Sequence, residues 1–122
     1  MGLDQYAYKR KAKWNKKYTK KTETTEELMY WRKHSKLQQW YVNTFDNDGT
    51  GAVELTEEHI REIRNLTNLN KMPHCDGGFF WGHQFQDDPE HKEHVKKDTL
   101  DFCKKALEAI KEGHIIIYDC SW

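Results

Sequence analysis

The sequence lacks most of the features that would assign a function at sight. Its 20 basic residues are balanced by 20 acidic ones, so no overall positive field attracts nucleic acid. No apolar run is long enough to span a membrane, and no signal peptide is recognisable. The three cysteines, an odd number without close spacing, give neither a zinc ribbon nor a disulfide framework, and they predict a protein of a reducing cytosol.

Catalytic signatures are missing as well. No Ser-His-Asp or Cys-His arrangement can be read, and no glycine-rich loop precedes a helix as a P-loop would. His91 and His94 stand three apart on one predicted helix face, a spacing that can chelate zinc. Without a His-Glu-x-x-His run or a cysteine pair, the ordinary polar first turn of a helix is the alternative interpretation. The sequence therefore predicts a protein that is not an enzyme and needs no cofactor.

What the chain does have is periodicity and aromatic residues. Aromatic side chains make up 13% of the sequence, which indicates a folded domain rather than a disordered chain. The periodic segments predict an α+β fold, with residues 1–122 as one domain. We expect a single, mostly antiparallel sheet of about five strands, with about three helices packed on it. The predicted strands are 3–9, 26–32, 52–55, 79–84 and 115–118.

Helix boundaries can be read from capping residues. Ser35 and Gln38 match a capping box, Thr56 is the expected N-cap of the second helix, and Asp88-Pro89 predicts the start of the third. Gly113 is the expected end of that last helix. Residues 9–23 are predicted to form a basic loop or mobile hairpin, because eight Lys and Arg fall between residues 9 and 21 without an acid.

The segment from Asp46 to Glu57 matches a calcium-binding EF-hand loop almost residue for residue. Asp46, Asp48, Thr50 and Glu57 stand at positions that supply side-chain oxygens, and Gly51 stands at the sharp turn. The following helix does not fit, because it is polar where an exit helix packs its apolar residues. The alternative is a tight Asx/Gly turn that leads into a short strand. Both interpretations stay open, and the polar exit helix favours the turn.

Distinctive motifs occur in segments 2–8, 28–34 with Leu37, Gln38 and Trp40, then 53–56, 78–82 and 118–122. Together they resemble the motifs of a family of small uncharacterised tailed-bacteriophage proteins. The resemblance covers nearly the whole chain and implies a phage product that acts in the bacterial cytoplasm as an accessory or counter-defence factor. It implies no catalytic residues, and it associates the Val-Glu-Leu-Thr junction with no acidic loop, which again favours the turn.

Aromatic side chains next to positive charge predict the ligand site. An aromatic face beside arginine can stack a base and pair with a phosphate. We expect Trp81 and Trp122 to stack the base of a small nucleotide signal, while Arg32 and Lys33 hold its phosphate. The alternatives are that the aromatics form the core of the sheet, or that the aromatic face binds and inhibits a host protein. The predicted ligand-binding residues are Tyr8, Trp31, Arg32, Lys33, Phe80, Trp81 and Trp122.

Overall fold

The computed structural model describes residues 2–11, 25–76 and 81–122 and has the predicted α+β fold. Within these residues, four strands form one sheet, every neighbouring pair is antiparallel, and the strand order is β2-β1-β4-β3. The elements are β1 (Asp4–Lys11), β2 (Thr25–Arg32), α1 (Ser35–Phe45), β3 (Val53–Leu55), α2 (Glu57–Asn68), α3 (Pro89–Lys111) and β4 (His114–Ser121). No helix among these is long and apolar enough to cross a bilayer.

The two sides of the sheet have different surroundings. Side chains that alternate along β1, such as Gln5 and Ala7, are fully buried beneath the helices. The residues between them, Tyr6 and Tyr8, point to the opposite face and are partly exposed. The last strand, β4, lies between β1 and β3, a central position that agrees with the continuous apolar run of residues 115–118.

The predicted fifth strand, residues 79–84, is wrong over its described part. Trp81 lies in a bend, and residues 83–85 form a single 3-10 turn. Gly82 adopts φ +77°, a left-handed conformation that turns the chain out of the extended direction. Residues 79 and 80 lie outside the described part of the chain. Gly82, the described glycine beside this aromatic run, therefore serves a turn rather than a strand.

The predicted basic loop, residues 9–23, begins too early. Lys9, Arg10 and Lys11 are the last residues of β1 and pair with β4, and the Lys9 ammonium lies 3.0 Å from a carboxylate oxygen of Glu26 on β2. These residues form an extended strand rather than a loop because the neighbouring strands β2 and β4 offer backbone hydrogen-bond partners. Residues 12–23 lie outside the described residues.

Two of the three predicted helix starts are confirmed, and one is displaced. Thr56 caps α2 and Asp88 caps α3. For α1 the N-cap is His34, whose side chain makes no capping bond, and Ser35 is the first helical residue. The predicted partner Gln38 does not reach back to the helix start, because its amide is hydrogen-bonded in the core. This one-residue displacement leaves the start of α1 without a side-chain cap.

Candidate functional site

The fold distributes the predicted ligand residues over three places. Trp31 belongs to the core, where its ring is 2% exposed, meets Phe102 edge-on and donates to the Thr99 hydroxyl. Tyr8 and Arg32 lie on the sheet face opposite the described helices, which we call the uncovered face. Lys33, Trp81 and Trp122 lie at one end of the molecule, while Phe80 falls outside the described residues. The six of these residues that the structure describes therefore do not gather at one place.

Trp81 and Trp122 pack on each other and leave no slot for a base between them. Their ring centroids are 5.6 Å apart and the planes are nearly perpendicular, at 82°. Trp81 is 7% exposed, and a Cβ added to Gly49 would lie 2.8 Å from its ring. Trp122 donates its indole N–H to the Gly49 carbonyl, at 2.7 Å. This pair closes one end of the core against the turn after α1.

The two cations of the predicted site are engaged locally. The Arg32 guanidinium lies 3.0 Å from a carboxylate oxygen of Asp4, its neighbour across the strand pair, and Tyr30 donates to the same carboxylate. The Lys33 ammonium stands 5.8 Å from the centre of the Phe85 ring. Both cations therefore have partners outside the tryptophan pair.

The acidic segment between α1 and β3 is arranged as a turn. Asp48 accepts hydrogen bonds from the Thr50 amide and hydroxyl, and this bonding lowers the pKa of Asp48. The hydroxyl of Tyr41 lies 2.6 and 2.8 Å from the carbonyls of residues 50 and 51, so both oxygens point into the protein. No three carboxylate, histidine or cysteine side chains in the described part of the chain gather into a group that could hold a metal ion. The arrangement matches the Asx/Gly interpretation of Asp46–Glu57.

A buried hydrogen-bond network ties this turn to the sheet. The carbonyl of Gly49 accepts from Gln38 and Trp122, and the Tyr118 hydroxyl donates to the Gln38 side chain at 2.6 Å. Tyr118 in turn accepts from the Gln5 amide, whose side chain also bonds the backbone N–H and carbonyl of His34. The network therefore runs through the core from the turn after α1 to the residue that precedes α1.

A cavity of about 430 Å³ lies where the start of α1, the end of α2 and the start of α3 meet. Such a volume lies in the usual range for small-ligand pockets, about 300–1,000 Å³. Its wall combines apolar and charged groups. The lining residues are His34, Ser35, Lys36, Thr67, Asn70, Met72, Gln86, Asp87, Pro89, His91, Lys92, Glu93, Val95 and Lys96.

Two hydroxyls at this cavity have no hydrogen-bond partner in the described structure. Ser35 is 1% exposed and Thr67 is 6% exposed, and the Oγ of Ser35 and the Oγ1 of Thr67 are both buried without an acceptor or donor. A buried polar group without a partner costs about 1–3 kcal/mol, so such groups call for an explanation. A bound ligand that supplies the missing partner is one such explanation.

Histidine 34 forms part of the cavity wall and is held neutral. Burial, followed by the electrostatic influence of the nearby His91 and Lys36 side chains, lowers the pKa of His34 from its ordinary 6.5 to about 3. His91 bonds to the Lys33 carbonyl, at 3.2 Å. A strongly shifted pKa in a concave site is a mark of functional positions, although it also occurs in structural networks.

The uncovered sheet face is the second distinctive surface. Tyr6 stacks with Tyr8 at 6.1 Å between centroids and contacts Tyr30 at 5.3 Å. Burial, and then the charges of Glu27 and Asp119, raise the pKa of Tyr8. Glu27 and Asp119 lie near Tyr8, whereas Arg32 pairs with Asp4 beside Tyr30. The Tyr8 end of this tyrosine row therefore suits a positively charged protein surface.

Comparison with known proteins gives no further guide. The chain was compared with protein-family models, with curated proteins and with solved structures, and none of the three comparisons found a match.

Proposed function

We propose that this chain is a binding protein that captures a small ligand in the cavity between α1, α2 and α3, without converting it. A small nucleotide is the ligand class that the sequence indicates. The observation that carries the proposal is the mixed wall of the cavity, in which Met72 and Val95 face the same space as Lys92. The tryptophans that were expected to stack a base are engaged elsewhere, so the body of the ligand would pack on these aliphatic side chains.

Binding without turnover fits the chemistry of the cavity. A serine nucleophile needs a base within hydrogen-bond reach. Within the described residues, the hydroxyl of Ser35 bonds to no histidine or carboxylate, although it follows His34 directly in the chain. Combined with the resemblance to phage proteins, this supports a counter-defence or accessory role in the cytoplasm of a bacterial host, in which sequestration alone produces the effect.

The first test is native mass spectrometry of the protein purified without added metal or chelator, followed by denatured mass on the same sample. We expect an excess of a few hundred daltons that disappears on denaturation. A thermal-shift panel of nucleotides covers a ligand that the expression host lacks.

A matched pair of variants connects a bound ligand to the cavity. Lys92→Glu reverses a charge at the cavity, whereas Lys97→Glu makes the same change at an exposed position of α3 that does not line it. Ligand lost from the first variant and kept by the second supports the site. A bare chain that no nucleotide stabilises would refute small-ligand capture.

The tyrosine row favours a second candidate function, inhibition of a host protein through the uncovered sheet face. The partner surface would be positively charged, to match Glu27 and Asp119 beside Tyr8. Crosslinking in host extract tests this candidate. A partner that is lost on Tyr30→Ser or Glu27→Lys, and retained by Ser35→Ala, supports it. A partner retained by both sheet-face variants would exclude this face.

A further inference from the structure

The start of α1 has no side-chain cap, and an uncapped helix start attracts anions. The first backbone N–H groups of a helix have no partner within the helix, and the helix dipole places partial positive charge there. In α1 no side chain in the described structure caps these groups, and the first turn contains no acidic residue. By contrast, α3 has its Asp88 cap and α2 has its Thr56 cap. Only α1, among the three helices of the described chain, begins without such a partner.

The two buried hydroxyls provide independent support for a ligand at this point. Ser35 is the first residue of α1, and Thr67 lies in the last turn of α2, yet both line the same cavity. Each hydroxyl can donate one hydrogen bond, and neither has a partner in the described part of the chain. Two hydroxyl donors beside a helix start without a side-chain cap match a group with several acceptor oxygens.

The charges around the cavity favour an anion by a small margin. Three lysines line it, Lys36, Lys92 and Lys96, against two acids, Asp87 and Glu93. The Lys36 ammonium lies 3.2 Å from Asp87, and Lys96 donates to Asn70.

Of the three lysines, Lys92 is the one whose ammonium has no side-chain partner within hydrogen-bond distance among the described residues. It makes no ion pair with any described residue, and like the other two lysines it lines the cavity. At the end of α2, the carbonyls of residues 65, 66 and 67 accept backbone N–H groups, which limits the negative charge they present to the cavity.

We propose that the cavity binds the phosphate group of a phosphate monoester, held by the hydroxyls of Ser35 and Thr67, the N-terminus of α1 and the ammonium of Lys92. This inference rests on the proposed capture function and names the part of the ligand that the protein recognises. Phosphate offers acceptor oxygens to backbone N–H groups, hydroxyls and a lysine at once. The rest of the ligand would lie along Met72, Pro89 and Val95.

Binding of four probes to the full chain tests the inference: AMP, ribose 5-phosphate, inorganic phosphate and adenosine. We expect AMP to bind and adenosine to bind at least tenfold more weakly. Ser35→Ala and Thr67→Val should each weaken AMP binding about tenfold or more, since a hydrogen bond to a charged group contributes about 1.5–3 kcal/mol. Thr44→Val, an exposed change near the end of α1, should leave AMP affinity unchanged.

The same two variants have a second readout in the absence of ligand. Because neither hydroxyl bonds to a described residue, removing it should not lower the thermal midpoint of unfolding. The midpoint of each variant is compared directly with that of wild type. Loss of AMP binding with an unchanged midpoint supports a binding role, whereas loss of both would indicate a structural role and overturn the inference. Equal affinity for AMP and ribose 5-phosphate would identify a sugar phosphate as the recognised unit, and stronger AMP binding would identify a nucleotide.

Failure of this inference can be distinguished from failure of the proposed function. If the protein captures a small molecule without a phosphate, and Ser35→Ala and Thr67→Val bind it as wild type does, the phosphate site is wrong and ligand capture stands. If wild type binds AMP and inorganic phosphate no better than a variant that carries both Ser35→Ala and Thr67→Val, the phosphate site is likewise wrong. If no small molecule binds at all, capture itself is refuted.

Discussion

The buried histidine at the cavity gives a quantitative prediction for stability against pH. His34 has a pKa of about 3 in the folded protein and an ordinary 6.5 when unfolded. Between these values the unfolded chain binds a proton that the folded chain excludes, so acidification favours unfolding. Stability is fully present above pH 6.5 and is lost progressively as the pH falls towards 3. From pH 7 to pH 5 the loss attributable to this one group is about 2 kcal/mol, at about 1.4 kcal/mol for each pKa unit.

Urea unfolding followed by tryptophan fluorescence at pH 7 and pH 5 measures this loss. His34→Gln removes the titrating ring, and the expected result is a variant whose stability falls by about 2 kcal/mol less than wild type over the same interval. The difference between the two pH values is the readout, so any constant cost of the buried amide cancels. His94→Gln is the matched control, because the His94 side chain is 75% exposed. Equal pH dependence in wild type and His34→Gln would refute the assignment of a buried neutral histidine.

Three further predictions concern the turn after α1 and the network behind it. In urea unfolding, Gly51→Ala should lower the free energy of unfolding by about 1 kcal/mol, because the backbone is left-handed there. Gly49→Ala should lower it further, since φ is +88° and the new Cβ would also lie 2.8 Å from Trp81. Equal costs would contradict the close approach. Tyr118→Phe should lower unfolding free energy by about 1–3 kcal/mol because two buried glutamine amides lose a partner, while Tyr8→Phe on the sheet face should change it by less than about 0.5 kcal/mol. The thermal midpoint of unfolding should be the same in calcium as in EGTA, since Asp48 already accepts hydrogen bonds from Thr50. A higher midpoint in calcium would support the EF-hand interpretation.

Most of the fold could be predicted because its signals are local. Asp88 followed by Pro89 gave the start of α3 correctly, and Thr56 gave the start of α2. The α+β class followed from the order of these periodic segments. The described part of segment 79–84 was assigned wrongly because a short apolar stretch between glycines is compatible with both a strand and a turn. The left-handed backbone of Gly82 decides between them. A Cβ on Gly82 would lie 2.7 Å from the Cβ of Lys33, so its surroundings are not a local property of the sequence.

The candidate site could not be predicted because it is assembled from distant segments. Ser35, Thr67 and Lys92 come from three different helices, and each is an unremarkable residue in its own segment. Aromatic residues next to cations are visible in a sequence, but their burial is not. Trp31 shows the difficulty, because it neighbours Arg32 in the chain and yet points to the opposite side of the sheet.

A displacement of one residue at the start of α1 links these observations. If Ser35 were the N-cap, its hydroxyl would accept the N–H of Gln38 and the helix start would be satisfied within the helix. In the structure, the backbone N–H of Gln38 bonds to the His34 carbonyl instead, and the carbonyl and N–H of His34 are held by Gln5. The two hydrogen bonds from Gln5 to the His34 backbone therefore place the N-cap one position earlier, at His34, whose side chain makes no capping bond.

This leaves the Ser35 hydroxyl without a partner among the described residues, and the start of α1 without a side-chain cap, beside the cavity. The displacement makes Gln5 a positioning residue for the site, although it lies in β1 and does not line the cavity. Gln5→Leu should therefore weaken AMP binding, and Gln5→Glu should retain more of it, because a carboxylate can still accept from the His34 N–H. Equal AMP affinity in Gln5→Leu and wild type, both folded, would show that the core network does not set the geometry of the α1 start.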